Sequence, residues 1–173
     1  MGVRPVLKED TAVMSPKTMT SADLRKFIAA HHIDATILHL DAHTSTVSDA
    51  ARELGADTDQ IIKSLVFMIE NKPLLVINNG TARVDRKKLA TLLGVGRKRV
   101  KFASAEQALA ITGFVVGSMP PFGHRQMLPT LVATAIMRLD VIFGGGGDVD
   151  AMMRLTPADL VRVTGAEITD VSE

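Results

Sequence analysis

The stretch VVGSMPPFGHR, residues 115–125, sets two glycines, two adjacent prolines and a histidine between apolar runs. Glycine admits φ above zero and the close approach of another group to the backbone. Pro120 and Pro121 each hold φ at about −65°, and Pro121 also disfavours the helical region for Pro120. A loop this stiff and this bare presents N–H groups at set positions. Such groups can stabilise an oxyanion or orient a water. The chemistry would then lie in the backbone of Gly117, with Ser118, Pro120, Pro121, Gly123 and His124 around it as substrate-binding residues. A rigid connector between helix and strand needs the same residues, so the pattern is open to both readings.

Four other groups carry chemical potential. Lys63 stands in the apolar run IIKSLVF. A buried ammonium is costly unless paired, so this lysine either reaches out to water or meets an anion. HLDAH would place His39, Asp41 and His43 on one side of a strand, the convergence that metal ligation needs. Imidazoles at a strand end are also ordinary polar groups, and no metal is assigned. Gly144, Gly145, Gly146 and Gly147 lack the GxGxxG spacing, and no Lys-Ser/Thr follows. They read as a flexible turn between strands, in which Gly144 and Gly145 could line a pocket closely approached by a ligand. Ser118 lies outside any G-x-S-x-G elbow and reads as a turn residue rather than a nucleophile.

Charge is a further feature. Residues 83–101 hold eight basic side chains against one acid, Asp85, in a chain whose net charge is only +1. This local excess suits a polyanion. It equally suits a solvated helix face followed by a lysine-protected strand. Trp and Tyr are absent and Phe numbers six, which argues against wide platforms for stacking bases. The absence of cysteine excludes disulfides, thiolate metal sites and a cysteine nucleophile. No apolar run approaches the ~20 residues of a membrane span, and the N-terminus lacks a signal-peptide layout. A cytoplasmic protein is expected.

Elements must position these groups. Residues 1–19 show no periodicity and read as a flexible leader, with a single domain over 20–173. Helices are expected in TSADLRKFIAAHHI, in STVSDAARELG (capped by Thr46 or Ser48), in VDRKKLATLLG, in SAEQALAITG and in TPADLVRVTG. Strands are expected in ATILHL, RVKFA, LPTLVAT, DVIFGGG and DAMMRL. The two apolar runs around Glu70, Asn71, Lys72 and Pro73 read as a hairpin. Strands alternate with helices, but a hairpin interrupts the order. This predicts an α/β fold with a mixed sheet and helices packed on it.

Four segments in this order, DAARELGADTDQIIKSLVF, LLVINNGTARVDRKKLATLLG, TGFVVGSMPPFGH and LTPADLVRVTGA, make the chain resemble the YbaK/ProX family of aminoacyl-tRNA deacylases. The same fold is the editing domain inserted in bacterial prolyl-tRNA synthetases. The likeness runs over residues 20–171. It implies a partly barrel-like mixed sheet surrounded by helices. It implies hydrolysis of the ester of a mischarged aminoacyl-tRNA, with no cofactor and no metal. It matches Lys63 to a functional strand lysine preceded by "QI", and Gly117 through Pro121 to a GxxxP loop. Relatives often read GG-x-S-P-x-G, where this chain has Ser118 for the second glycine and Pro120 for the serine. Phe143 stands where some members carry a serine, Ala133 and Thr134 where many carry an aspartate, and Asp150 matches an acid after the glycine run.

The implied partners are the 3′ acceptor end of tRNA and an aminoacyl-tRNA synthetase, with no membrane and no DNA. Arg83, Lys87, Lys88, Arg97, Lys98 and Arg99 would meet acceptor-stem phosphates. Pocket size would select the amino acid. Two other classes stay open: a non-catalytic tRNA-binding or regulatory module of the same fold, and a metal-dependent hydrolase built on His39, Asp41 and His43.

Overall fold

The computed structural model describes residues 17–41 and 46–173. The leader expected over 1–19 lies outside the described residues as far as residue 16. Met19 is already tied to the fold, its N–H donating to the Gly113 carbonyl at 2.7 Å.

The helices begin and end where local chemistry directs. α1 (Ser21–Ala30) starts at Thr20, which forms a reciprocal capping box with Asp23. α2 (Val47–Leu54) is capped by Thr46 rather than Ser48. α3 (Arg86–Leu93) is capped by Asp85, α4 (Ala105–Thr112) by Ser104, and α5 (Pro157–Thr164) by Thr156 with proline in its first turn. Gly55, Gly94, Gly113 and Gly165 stop four of them in the left-handed conformation.

The strands make two sheets. β1 (Thr36–His39) and β6 (Ile142–Gly145) flank β7 (Ala151–Leu155), all antiparallel. β2 (Ile62–Ile69), β3 (Lys72–Asn79), β4 (Val100–Phe102), β5 (Thr130–Ala133) and β8 (Glu167–Thr169) form the second, in the order β4-β2-β3-β5-β8. Its β2–β3 and β2–β4 pairs are antiparallel, whereas β3–β5 and β5–β8 are parallel. A parallel pair needs a crossover, and α3 and α4 fill the connection from β3 to β5. A parallel bridge between Ile61 and Phe143 links the sheets. The mixed α/β architecture expected from the sequence is present.

Two details differ from the sequence reading. The hairpin turn is only Glu70 and Asn71, at φ 50° and 67°, so Lys72 and Pro73 already belong to β3. Two positive φ values are what a two-residue turn needs to follow strand twist, and asparagine tolerates them. β8 was not expected, because its three residues are short and largely exposed and show no clear alternation. Its place is set by pairing with β5.

The core lies between the sheets and helices. β3 is buried along its last six residues, as a central strand covered on both faces should be. Phe67, Phe114, Leu24, Leu75 and Leu89 are essentially inaccessible. Each such side chain contributes about 1.5–3 kcal/mol of burial. A smaller apolar cluster of Ala50, Ala51, Ile61 and Phe143 seats α2.

The Asp85 carboxylate accepts from the N–H groups of Lys87 and Lys88 at 2.8 and 3.1 Å. Asp85→Ala should lower stability by about 1 kcal/mol, and Asp85→Asn should restore most of it. Urea denaturation of the three proteins measures this.

Candidate functional site

The loop expected to do chemistry is clamped at both ends. Before it, Thr112 at the end of α4 accepts the Phe114 N–H on its hydroxyl at 3.1 Å. After it, the Arg125 N–H donates to the Thr112 carbonyl at 2.8 Å, and the Arg125 guanidinium reaches the carbonyls of Ala110 and Lys17, each at 3.0 Å. Between these anchors Val115, Val116 and Gly117 are exposed, whereas Ser118 through Gly123 are buried.

The buried half lies on the glycine run. A Cβ on Gly145 would overlap the Met119 carbonyl oxygen. One on Gly144 would stand 3.4 Å from the Pro121 ring and 3.2 Å from Ile62. The Gly147 N–H, in a residue at φ 95°, donates to the Ser118 carbonyl at 2.9 Å. Gly144 and Gly145 thus belong to β6, and the close approach they permit is made by the chain itself. Gly123, at φ 77°, faces Phe27 and Leu24.

Ser118 is 2% exposed, and its hydroxyl donates to the Val115 carbonyl at 2.8 Å. The side chain is that of a turn residue. His124 Nε2 bonds the Pro120 carbonyl at 2.7 Å. A carbonyl only accepts, so Nε2 carries the proton. Burial pushes the imidazole below its ordinary value, and the Pro120 bond offsets only part of this. His124 is therefore a neutral strut holding the proline pair. Gly117 differs from all of these. It sits at φ 95°, a Cβ there would meet open space, and its N–H has no hydrogen-bond partner among the described residues.

Lys63 stands in β2 opposite Asn78 of β3. Its Nζ donates to the Ala82 carbonyl at 3.1 Å. Burial, and then the charge of Arg83, lower its pKa. Neither of the outcomes weighed from sequence is complete: the ammonium is half-buried, and a carbonyl stands in for an anion.

The basic stretch is divided. Lys88 pairs with Asp170 at 2.9 Å, Arg99 pairs with Glu70, and Arg86 donates to the Val100 carbonyl. Arg83, Lys87, Arg97 and Lys98 are exposed and have no acidic partner among the described residues. Lys98, Arg99 and Lys101 border a shallow hollow beside the β2–β3 turn.

The HLDAH grouping does not assemble as expected. His39 lies near Asp148 and Asp150, the three offering ligand atoms within 4.8 Å of one another. His43 lies outside the described residues, and Asp41 is not in the group. The Arg25 guanidinium approaches His39 Nε2 at 2.9 Å, and Ser21 donates its hydroxyl to Asp148. The other ring nitrogen, Nδ1, lies 3.8 Å from the Asp150 carboxylate.

Sequence reasoning missed Asn78 and Arg125. The polar pair NN closing an apolar run was the available signal for the first. Nothing local marked the second, whose partners lie 15 and 108 residues away. A cavity of about 420 Å³ behind the loop, bordered by Phe27, Phe122, His124, Leu128 and Arg162, was equally illegible.

Comparison with known proteins identifies the family. Residues 41–163 match the aminoacyl-tRNA editing domain, and the chain belongs to that family. The YwhH protein of Bacillus subtilis is 24% identical over 151 residues, which is 87% of this chain and 94% of that protein. A proline–tRNA ligase of Streptococcus pyogenes serotype M3 is 28% identical over 95% of this chain, which spans only 28% of the ligase. A crystal structure of a proposed trans-editing enzyme for prolyl-tRNA synthetase superposes with a TM-score of 0.82 at 31% identity, covering 92% of this chain and 99% of that one. The resemblance read from the four sequence segments is borne out, and with it the YbaK-like fold.

The strut makes a prediction. The lowered pKa of folded His124 means that the unfolded chain binds more protons as pH falls through 6.5. Stability is therefore full above that value and declines below it. His124→Gln should remove this component, so its urea midpoint should fall less than wild type between about pH 7.5 and about pH 5. Parallel titrations check it.

Proposed function

We propose that this protein hydrolyses mischarged aminoacyl-tRNA in trans, acting on the ester at the 3′ acceptor end. Residues 20–173 would serve as one editing unit in the cytoplasm. Family membership supports an editing role, and the likeness to a proposed trans-editing enzyme supports action in trans. Among the described residues no helix is long and apolar enough to cross a membrane.

The observation that carries the reading is the Gly117 N–H: unpartnered among the described residues, on an exposed residue of a loop whose other half is buried. An aminoacyl ester is already activated, so no covalent nucleophile is needed. The protein must hold the ester, orient a water and stabilise the oxyanion. The Gly117 N–H would bind the substrate carbonyl or the attacking water. Lys63 would leave the Ala82 carbonyl for a phosphate of the terminal adenosine, or would orient the amino-acid end. A terminal ribose hydroxyl would assist. Buried Ser118, Pro120, Pro121 and Gly123, with Gly144 and Gly145 beneath, would act by fixing the loop. Arg83, Lys87, Lys88, Arg97, Lys98 and Arg99 would meet acceptor-stem phosphates, and a synthetase would supply the mischarged tRNA.

A panel of mischarged tRNAs, assayed with and without chelator, tests the reaction class. Release of the amino acid unaffected by chelator is expected. Binding of tRNA without release would establish the non-catalytic module instead, and chelator sensitivity would favour a metal at His39.

On the substrate that the panel selects, Lys63→Ala should fold normally and lose most turnover. Gly117→Ala should cost about 10²–10³ in rate. Its methyl has room, so the loss would arise from forcing an L-residue at φ 95°. Ser118→Ala should be mild. The opposite order in single-turnover assays would make the serine side chain the agent.

Replacing Arg97, Lys98 and Arg99 together with Ala should weaken tRNA binding. It should also flatten the plot of log affinity against log salt by about 0.7–0.9 for each phosphate no longer neutralised. An unchanged slope would mean that these charges are only solvated.

A further inference from the structure

Lys63 is held by more than its own bond. The Ala82 carbonyl that accepts its ammonium also accepts from Asn78 Nδ2, at 3.3 Å. Asn78 is completely buried. Its amide can face only one way, because Oδ1 accepts the backbone N–H of Asn79 at 2.9 Å and that group can only donate. Nδ2 must therefore point at Ala82. A second donor reaches Oδ1 from far along the chain: the Ser172 hydroxyl, at 2.9 Å.

Ser172 arrives there on a segment laced to the residues that follow Ala82. The Asp85 N–H donates to the Val171 carbonyl at 2.7 Å, and the Glu173 N–H donates to the Arg83 carbonyl at 2.9 Å. Val84 and Ser172 form an antiparallel bridge. Lys88 Nζ donates to the Ser172 carbonyl at 2.7 Å. The Ala82 carbonyl is thus fixed by Asn78 on one side and by this lacing on the other. Without a fixed acceptor, a flexible lysine stem would turn its ammonium to water.

We infer that Ser172, acting through Asn78 and the Ala82 carbonyl, is a positioning residue for Lys63. The functional consequence rests on the proposed role of Lys63 in deacylation. The geometric claim does not.

The test uses the full chain with Ser172→Ala and Ser172→Thr. The first removes the hydroxyl, and the second keeps it. In ¹³C-lysine-labelled protein, the Cε–Hε resonance of Lys63 is assigned by its loss in Lys63→Ala. It should shift in Ser172→Ala and return in Ser172→Thr. An unmoved resonance in Ser172→Ala overturns the inference. So does an equal shift in both variants, which would assign the effect to packing.

On the same proteins kcat/KM should fall about three- to tenfold in Ser172→Ala, the scale of one hydrogen bond. It should recover in Ser172→Thr. The two readings fail separately. A shifted and rescued resonance without deacylation by any variant leaves the positioning intact and removes the deacylase reading. Loss of turnover in Lys63→Ala with an unmoved resonance in Ser172→Ala does the reverse.

Discussion

Bare backbone lies against bare backbone where the loop after α4 rests on the glycines of β6 and its turn. The carbonyls of Ser118 and Met119 occupy the space that a side chain at Gly145 would fill, and the Gly147 N–H closes the contact. A Cβ on Gly147 would stand 2.7 Å from the Ser21 backbone nitrogen. Several segments distant in sequence therefore converge on one strip that tolerates no side chain. Everything proposed for Gly117 depends on this. The burial of the residues after it holds its N–H in place. A polar backbone group without a protein partner is tolerable at an exposed position, where water can serve it.

Lys63, the other candidate group, rests on electrostatics. Lys63 is placed where burial and Arg83 both disfavour its charge, and a single carbonyl partly compensates. A neutral carbonyl is a weaker partner than a phosphate or carboxylate. An ammonium in this state is poised to exchange one acceptor for a better one, which suits a residue that meets a substrate. Its surroundings are organised by a buried asparagine whose amide is bonded at both ends. Buried polar groups fully bonded in this way specify geometry. The basic stretch is organised differently. Lys88 and Arg99 are tied to acids, while Arg83, Lys87, Arg97 and Lys98 are left for solvent or a polyanion.

Much of the fold was legible because its signals are local. The helices lie where the sequence placed them, capped by Thr20, Thr46, Asp85, Ser104 and Thr156, and four glycines stop helices by the same backbone logic. The two apolar runs of β2 and β3 announced a hairpin. β8 was not legible, since three weakly patterned residues become a strand only through the edge that β5 offers. The glycine run shows the same limit. Sequence could say that something comes close to Gly144 and Gly145, but not that the visitor is the chain's own loop.

The sequence by itself determined the elements apart from β8, the stiff loop, the uneven charge and, through the order of four segments, the editing family. These follow from interactions within a few residues, or from a pattern carried along the chain. Only the tertiary structure decided which groups are engaged and which are left over. Ser118 lost its hydroxyl to a turn, His124 became a neutral strut, His39 went to Arg25 rather than to Asp41, and the Gly117 N–H was left unpartnered among the described residues. The partners of Ser118 and His124 lie three and four residues away, in a loop seated on the distant glycine run, and the partner of Asn78 is Ser172, 94 residues away. A hydrogen bond requires a donor and an acceptor within about 3 Å, and no local rule brings residues that distant together.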